Sequence, residues 1–229
     1  MADDALLALQ LLGNDLAQAG HAQPRRLVRE ADGRLGWELP LTGPSVFACD
    51  TGFVAPASTG DMVCAAAGAS AALEVRYQAD AYNTIPLAGT TRPGDCLGAG
   101  LNATDGVYLT ANRWYVASSQ GRSELRCASR LGNPGQPLVD NVEAMALWLG
   151  EAAVEGGPPV REVSASQVSD FGRVTHLRLC LLMRSTEAVL LADGALPYVD
   201  CQGRSQASPD GRLRQAFHAS FALRSRQGG

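Results

Sequence analysis

Hydrophobic side chains in the first twenty residues recur at helical spacing, which predicts an amphipathic helix over residues 1–20. One face of the helical wheel carries Ala5, Leu9, Leu12, Leu16 and Ala19. We expect this face to be buried against a sheet. Leu7 and Leu11 fall on roughly the opposite side, so we expect them to be largely exposed and to form a second, narrower apolar strip that packs against a partner.

The rest of the chain has the pattern of β-strands. Residues 73–78 alternate apolar and polar side chains, which is typical of a half-buried strand. Three further short strands form a meander joined by Ala-Asn and Ser-Gln-Gly turns, at residues 107–110, 113–118 and 124–128. Residues 31–60 are rich in turn residues and predict irregular structure.

The C-terminal half continues the strand pattern. Residues 139–149 fit either a helix or a strand, and we favour the strand. Residues 164–168 predict one helical turn capped by Ser164. Residues 174–184 predict a central antiparallel strand, and residues 213–224 a strand that closes the sheet. The predicted architecture is one α+β domain over residues 1–229, with the helix laid across one antiparallel sheet of a β-rich head at residues 21–229.

Composition narrows the class of protein. The net charge of −4 and the pI of about 5.4 give no basic footprint for nucleic acid or for an anionic membrane surface. No run of 18 or more apolar residues occurs, and no charged segment precedes an apolar stretch as in a signal peptide. The six cysteines indicate an exported protein, so we expect that an export signal has been removed.

Cysteine usage indicates an oxidising compartment. The cysteines are even in number and include no C-x-x-C arrangement, which favours disulfides over zinc. They are Cys49, Cys64, Cys96, Cys127, Cys180 and Cys201. Sequence alone leaves about fifteen connectivities open. Pairing of neighbours closes the shortest loops, and we expect it here.

Candidate catalytic and metal-binding residues are few. Asp50-Thr51-Gly52 has the form of an aspartic protease turn, but such an enzyme needs two carboxylates and therefore a symmetric dimer of this chain. A turn beside a disulfide is the favoured interpretation of this motif. His21, His176 and His218 are not coupled to a nucleophile by any motif. The Asp-Gly pairs at residues 193–194 and 210–211 predict turns, and the spacing around Asp200 does not match a calcium loop. We therefore expect no catalytic residues, no metal and no cofactor.

Four blocks in the C-terminal half carry a family resemblance. They are QPLVDNVEAM at residues 136–145, RVTHLRLCLLMRS at 173–185, PYVDC at 197–201, and DGRLRQAF with the following ALR at 210–224. In this order, with the accompanying cysteines, they resemble the PilW family of type IV minor pilins. The run ALLALQLLGNDLAQAG at residues 5–20 is similar to the end of the long pilin helix.

The resemblance implies a pilin-like fold with one long N-terminal helix and disulfide-pinned loops. It implies a minor pilin that joins a tip complex with other minor pilins and the major pilin, primes pilus assembly and supports display of a large tip adhesin. The implied location is the inner membrane facing the periplasm, and then the extracellular pilus. The leader and the apolar membrane helix of the family are missing from this sequence, so anchoring is implied by the resemblance alone.

Three alternatives stay open at this point. One is a minor pseudopilin of type II secretion, which has a similar plan. The second is an exported dimeric aspartic protease built on Asp50. The third is a stand-alone ligand-binding module, which a pocket with convergent polar groups would favour. A flat sheet edge with the helix strip exposed would favour the minor pilin.

Overall fold

The computed structural model describes residues 1–29, 31–119, 121–189 and 196–223. One α-helix, α1 (Ala2–Gln18), opens the chain, and two 3₁₀ turns occur at Ala165–Gln167 and Phe171–Arg173. The strands are β1 (Arg26–Arg29), β2 (Leu35–Glu38), β3 (Val46–Cys49), β4 (Ala72–Ala79), β5 (Ala103–Thr104), β6 (Val107–Ser119), β7 (Arg122–Ser129), β8 (Gln136–Asp140), β9 (Val142–Ala152), β10 (Pro159–Val163), β11 (Val174–Ala188), β12 (Pro197–Val199), β13 (Ser205–Ala207) and β14 (Arg212–Ala222).

The main strands form two antiparallel sheets, where the sequence pattern predicted one. The larger sheet has the order β3-β4-β6-β7-β8, with β5 beside β6, and the smaller has the order β10-β9-β11-β14. Asn141 alone separates β8 from β9, and its φ of +63° turns the chain from one sheet into the other. Asparagine tolerates this left-handed conformation better than most residues. The strand interpretation of residues 139–149 is therefore right, but it missed the break.

The hydrophobic core joins the helix to both sheets. It includes Leu12 and Leu16 of α1, Leu73 of β4, Leu147 of β9 and Leu179 of β11. The expected α+β arrangement of one N-terminal helix on antiparallel sheets is therefore observed. The expected long helix is not, because α1 has 17 residues and most of the regular structure is strand.

Three local expectations are corrected. The Ala111-Asn112 pair is not a turn, because β6 runs without interruption through it and buries both side chains. Within residues 31–60, β2 and β3 form where irregular structure was expected. Strand β4 is buried on both faces, since Glu74 and Gln78 are covered as well as the apolar side chains. The turn expected at residues 193–194 and the expected end of the last strand at Arg224 lie outside the described residues.

Disulfides tie the loops to the sheets. Cys49 is bonded to Cys64, Cys96 to Cys127, and Cys180 to Cys201, which are the three neighbour pairs. The Cys49–Cys64 loop lies on the outer face of the larger sheet. There the fully buried Arg113 bonds Glu74 (Nε to Oε2, 2.7 Å) and donates to the loop carbonyls of Pro56, Ser58 and Gly60.

Candidate interaction surface

A buried carboxylate fixes α1 on the larger sheet. Asp15 accepts hydrogen bonds from the Tyr77 hydroxyl (2.9 Å), the Asn112 amide nitrogen (2.9 and 3.0 Å) and the Trp114 indole nitrogen (2.6 Å). These donors come from β4 and β6 and converge on one point of the helix. Because four buried polar groups satisfy one another only in this arrangement, the network selects one rotation and one position of α1.

Burial shifts the titration of this network. Desolvation raises the pKa of Asp15 above its usual value, although the hydrogen bonds from Trp114, Asn112 and Tyr77 oppose the shift. Desolvation, together with the Asp15 charge, also raises the pKa of the Tyr77 phenol. The sequence pattern assigned Asp15 no role, and the only signal was an acidic residue within an apolar stripe.

The buried face of α1 is centred differently from the expected one. Besides Ala5, Leu12, Leu16 and Ala19, it includes Ala8 and Asp15. At 100° per residue, this rotates the centre by roughly 30° from the predicted face. Leu9 is consequently half-buried at the flank of the stripe, where full burial was expected.

The same rotation changes the outward strip. Leu11 is half-buried and packs against the core, so the expectation that it is largely exposed was wrong. Leu7 is 47% exposed as expected, and its neighbour Leu6, which was not singled out, is 67% exposed. The outward apolar strip of α1 is therefore Leu6 and Leu7.

Gly13 explains how the smaller sheet reaches the helix. A Cβ atom at this position would lie 2.7 Å from the ring of Phe221 on β14, closer than non-bonded atoms approach. Glycine within a helix costs roughly 1 kcal/mol relative to alanine. Here it allows the aromatic ring to pack directly on the helix backbone.

Asp50 has a structural role. Its carboxylate accepts the backbone N–H groups of Ala165 and Ser166, each at 2.9 Å, and so caps the 3₁₀ turn at Ala165–Gln167. Ser164, the expected cap, makes no capping hydrogen bond with its side chain. Burial opposes ionisation of Asp50, but the hydrogen bonds from this segment outweigh it and lower the pKa. Both oxygens of Asp50 are thus engaged in holding two distant segments together.

Glu151 organises the neighbouring turn. Its carboxylate, 2% exposed, accepts from the Ser169 hydroxyl (2.5 Å) and from the guanidinium groups of Arg161 (2.6 Å) and Arg173 (3.2 Å). The Ser169 hydrogen bond is the largest of the effects that lower the pKa of Glu151 to about 2. This residue therefore joins β9, β10 and the turn before β11 into one unit.

The histidines do not form a site. His176 and His218 lie on neighbouring strands, but they pair with Ala222 and Cys180 at different places along the ladder. Across the described ranges, no group of three or more His, Cys, Asp or Glu side chains is placed to hold a metal ion. Asp200 and Asp210 are instead paired with Arg204 and Arg214.

An open groove of about 630 Å³ lies on the outer face of the smaller sheet, beside the segment that carries Cys201. Two of the side chains that line the groove are stacked, with the Arg178 guanidinium 4.0 Å from the centroid of the Trp148 ring. Arg178 is paired with Glu162 (2.6 Å) and Arg214 with Glu143 (2.6 Å). Because its cations already have carboxylate partners in the same chain, the groove presents little unpaired charge to a ligand.

Comparison with known proteins gives a family match for the C-terminal part of the chain. Residues 113–225 match the model of the type IV pilus-assembly protein W family, PilW. All four sequence blocks lie inside this range, so the match confirms the resemblance of the C-terminal part of the chain to the PilW family. The match supports a type IV pilus-related protein.

Two other comparisons add little. A type IV-like pilin from Thermus thermophilus is 15% identical, with a TM-score of 0.46 over 96% of this chain and 94% of that one. A score at this level is too low to assign the fold. No curated protein sequence matches the chain. No helix within the described ranges is long and apolar enough to cross a membrane.

Proposed function

We propose that the chain is a minor pilin of a type IV pilus, folded as one pilin-like domain over residues 1–229. In this role it joins other minor pilins and the major pilin in a complex at the pilus tip, primes assembly and supports display of a tip adhesin. The match of residues 113–225 to the PilW family carries the proposal. Its location would be the periplasmic side of the inner membrane before assembly and the pilus tip afterwards.

The surface of α1 supports this role. The helix is held rigidly by Asp15 and the core leucines, while Leu6 and Leu7 face outward at 67% and 47% exposure. A helix fixed on one side and apolar on the other is suited to packing against a helix of another subunit. We propose that Leu7 is the main residue of this contact and that Leu11, which packs on the core, contributes through the shape of the strip.

The experiment compares two variants of the full-length gene product in a strain that lacks the gene. Leu7→Asp should fold normally, because Leu7 is half exposed, but should not restore the number of surface pili or co-purify with other minor pilins. Val154→Asp is the matched control, since Val154 is 67% exposed and lies outside α1. It should restore both.

Three outcomes would contradict the proposal or favour an alternative. Normal pilus number with Leu7→Asp would contradict the proposed contact. Unchanged pili but impaired protein secretion in the deletion strain would favour the pseudopilin alternative. An activity lost with Asp50→Asn alone would contradict the structural role of the protein.

A further inference from the structure

Three of the four strands that end the two main sheets are protected against the addition of another strand. Strand β3 has four residues and packs against the two 3₁₀ turns. Strands β8 and β10 have five residues each. Strand β8 contains Pro137, β10 begins at Pro159, and each has an irregular register with its neighbour. Short length, proline and bulges are the features by which proteins keep sheet edges from pairing with other chains.

Strand β14 has none of these features. It is 11 residues long, and its pairing with β11 runs without a bulge from Arg214 to Ala222. Residues 215–222 contain no proline, no glycine and no Asp, Glu, Lys or Arg. Within the described ranges, β14 pairs with no strand other than β11. A long, regular and uncharged edge of this kind is a template for one more strand.

The free edge of β14, the side that faces away from β11, presents the backbone groups of alternate residues. The Leu223 N–H bonds the carbonyl of Thr175, which precedes His176 of β11. The Leu213 N–H bonds the Ser185 hydroxyl of β11. Odd-numbered residues of β14 therefore face β11, and even-numbered residues direct both N–H and C=O to the free edge. These residues are Ala216, His218, Ser220 and Ala222.

The groove on the outer face of the smaller sheet lies beside this edge. Gln215, Ala216 and His218 of β14 line it, together with the segment that carries Cys201. Side chains of an added strand would alternate between the two faces of the sheet, so those on the outer face would lie at this groove. In strand addition, backbone hydrogen bonds provide affinity and such depressions provide specificity.

Polarity along the edge selects an uncharged strand. On the core side, Phe217 and Phe221 are half-buried and pack against the core, so their exposed parts offer apolar contact to a neighbouring strand. On the groove side, Arg178 and Arg214 already have carboxylate partners. A charged side chain on the added strand would therefore lose hydration without gaining an ion pair. The strand that fits is apolar on its core side and neutral on its groove side.

We propose that the free edge of β14 receives an extended, uncharged strand of a neighbouring pilus subunit, which extends the smaller sheet by one strand. The inference deepens the proposed function, on which it rests, by naming a second contact and the form of the partner segment. The contact does not use the outward face of α1, so Leu6 and Leu7 stay available to another subunit.

The length of the edge sets the strength of this contact. Residues 215–222 span about 27 Å as a strand and allow about eight backbone hydrogen bonds to the partner. A contact one strand wide is at the lower end of the roughly 1,200–2,000 Å² that specific interfaces bury. The contact is therefore weak between isolated chains and is strengthened where subunits are held side by side.

Amide hydrogen exchange of the isotope-labelled 229-residue chain, followed by NMR, tests whether the edge is open. The amides of His218 and Ser220 should exchange at least about tenfold faster than those of Phe217 and Ala219, because only the latter pair bonds β11. Slow exchange of both pairs in dilute solution would show that the chain covers its own edge. Protection that rises with concentration would show that two copies pair edge to edge. Either result would overturn the proposal.

The partner arm adds the soluble domains of the other pilins of the same cells, one at a time. One of them should slow the exchange of the His218 and Ser220 amides by at least about tenfold, because these N–H groups then bond the added strand. The amides of β10, at the opposite edge of the same sheet, should not change. Binding that leaves the β14 amides unprotected, or no binding by any pilin, would overturn the proposal.

Substitutions at Ser220 test the edge in the assembled system. Ser220→Pro removes one outward N–H, and Ser220→Lys places a cation on the edge. Both should fold, because this N–H does not bond β11, and Ser220→Lys decides the question if circular dichroism shows that the proline variant does not. Each should weaken partner binding by at least about tenfold and lower the number of pili in a strain that lacks the gene. Ser220→Ala, and Val160→Lys on the exposed edge of β10, are the controls and should behave as the natural chain.

The outcome in cells separates this inference from the proposed function. Full piliation with both Ser220→Pro and Ser220→Lys, in a strain that has no pili without the gene, would overturn the edge contact and leave the minor pilin role intact. An unchanged number of pili after deletion of the gene would contradict the proposed function itself, and the exchange measurements would then decide the edge contact.

Discussion

Replacing Asp15 by alanine tests how the helix is held on the sheet. The substitution removes the acceptor of the Trp114 indole and of the Tyr77 hydroxyl, both of which are buried. Asn112 keeps one partner, because its amide nitrogen also lies 3.2 Å from the Tyr77 oxygen. Two buried donors are therefore left unsatisfied, at about 1–3 kcal/mol each.

Two smaller effects act in the other direction. Alanine is the better helix former by up to about 0.7 kcal/mol. The desolvation that raises the pKa of Asp15 is also relieved. The expected net loss in the free energy of unfolding is therefore about 2–4 kcal/mol.

Urea unfolding with the disulfides intact measures this loss. The midpoint should fall while the slope with urea stays the same, which marks a change in stability and not in the unfolded state. Asn14→Ala, at the exposed neighbouring position, is the control and should change stability by less than about 0.5 kcal/mol. Equal stabilities of the Asp15 and Asn14 variants would refute the reasoning.

A double-mutant cycle separates the network from the helix itself. Trp114→Phe removes the indole donor, so in this background Asp15→Ala should cost less by about 1–2 kcal/mol. If the losses caused by Asp15→Ala and Trp114→Phe simply add, the hydrogen bond between Trp114 and Asp15 contributes nothing to stability.

Three other substitutions test separate parts of the structure. Leu12→Ala should cost about 2–5 kcal/mol in urea unfolding, whereas Leu7→Ala should cost little, and similar losses would contradict the assignment of the buried face. Asp50→Ala should lower stability by about 0.5–2 kcal/mol through loss of the cap, and an unchanged melting temperature would contradict this role. Because the pKa of Glu151 is lowered to about 2, its ionised form stabilises the folded chain above pH 4.5, and this contribution is lost as pH falls towards 2. The stability difference between the natural chain and Glu151→Gln should therefore shrink over that range, while Glu155→Gln, at an exposed position, should show no such trend.

Local patterns in the sequence predicted much of the fold. The sequence shows the repeat of apolar positions in α1, β4, β7 and β11, because one face of each element packs on the main core. The neighbour pairing of cysteines also matches the structure, since short loops bring such residues together. The four blocks that resemble the PilW family could be recognised from their residues and their order, and all of them lie in the region that the family model matches.

The sequence alone does not predict contacts between polar groups that lie far apart in the chain. Asn112 has the composition of a turn residue, yet it lies within β6 because Asp15 supplies a buried partner 97 residues away. Glu74 is buried in β4 because Arg113 neutralises it. The exposed state of Leu11 was wrongly predicted for a related reason, since the centre of the buried face depends on where Asp15 bonds.

Pilus composition tests the central claim most directly. Pili sheared from cells should contain this chain in a small amount relative to the major pilin, and deletion of the gene should lower the number of surface pili. Quantitative mass spectrometry of the sheared fraction, with pilus counts by electron microscopy, measures both. Absence of the chain from sheared pili together with an unchanged number of pili would contradict the account.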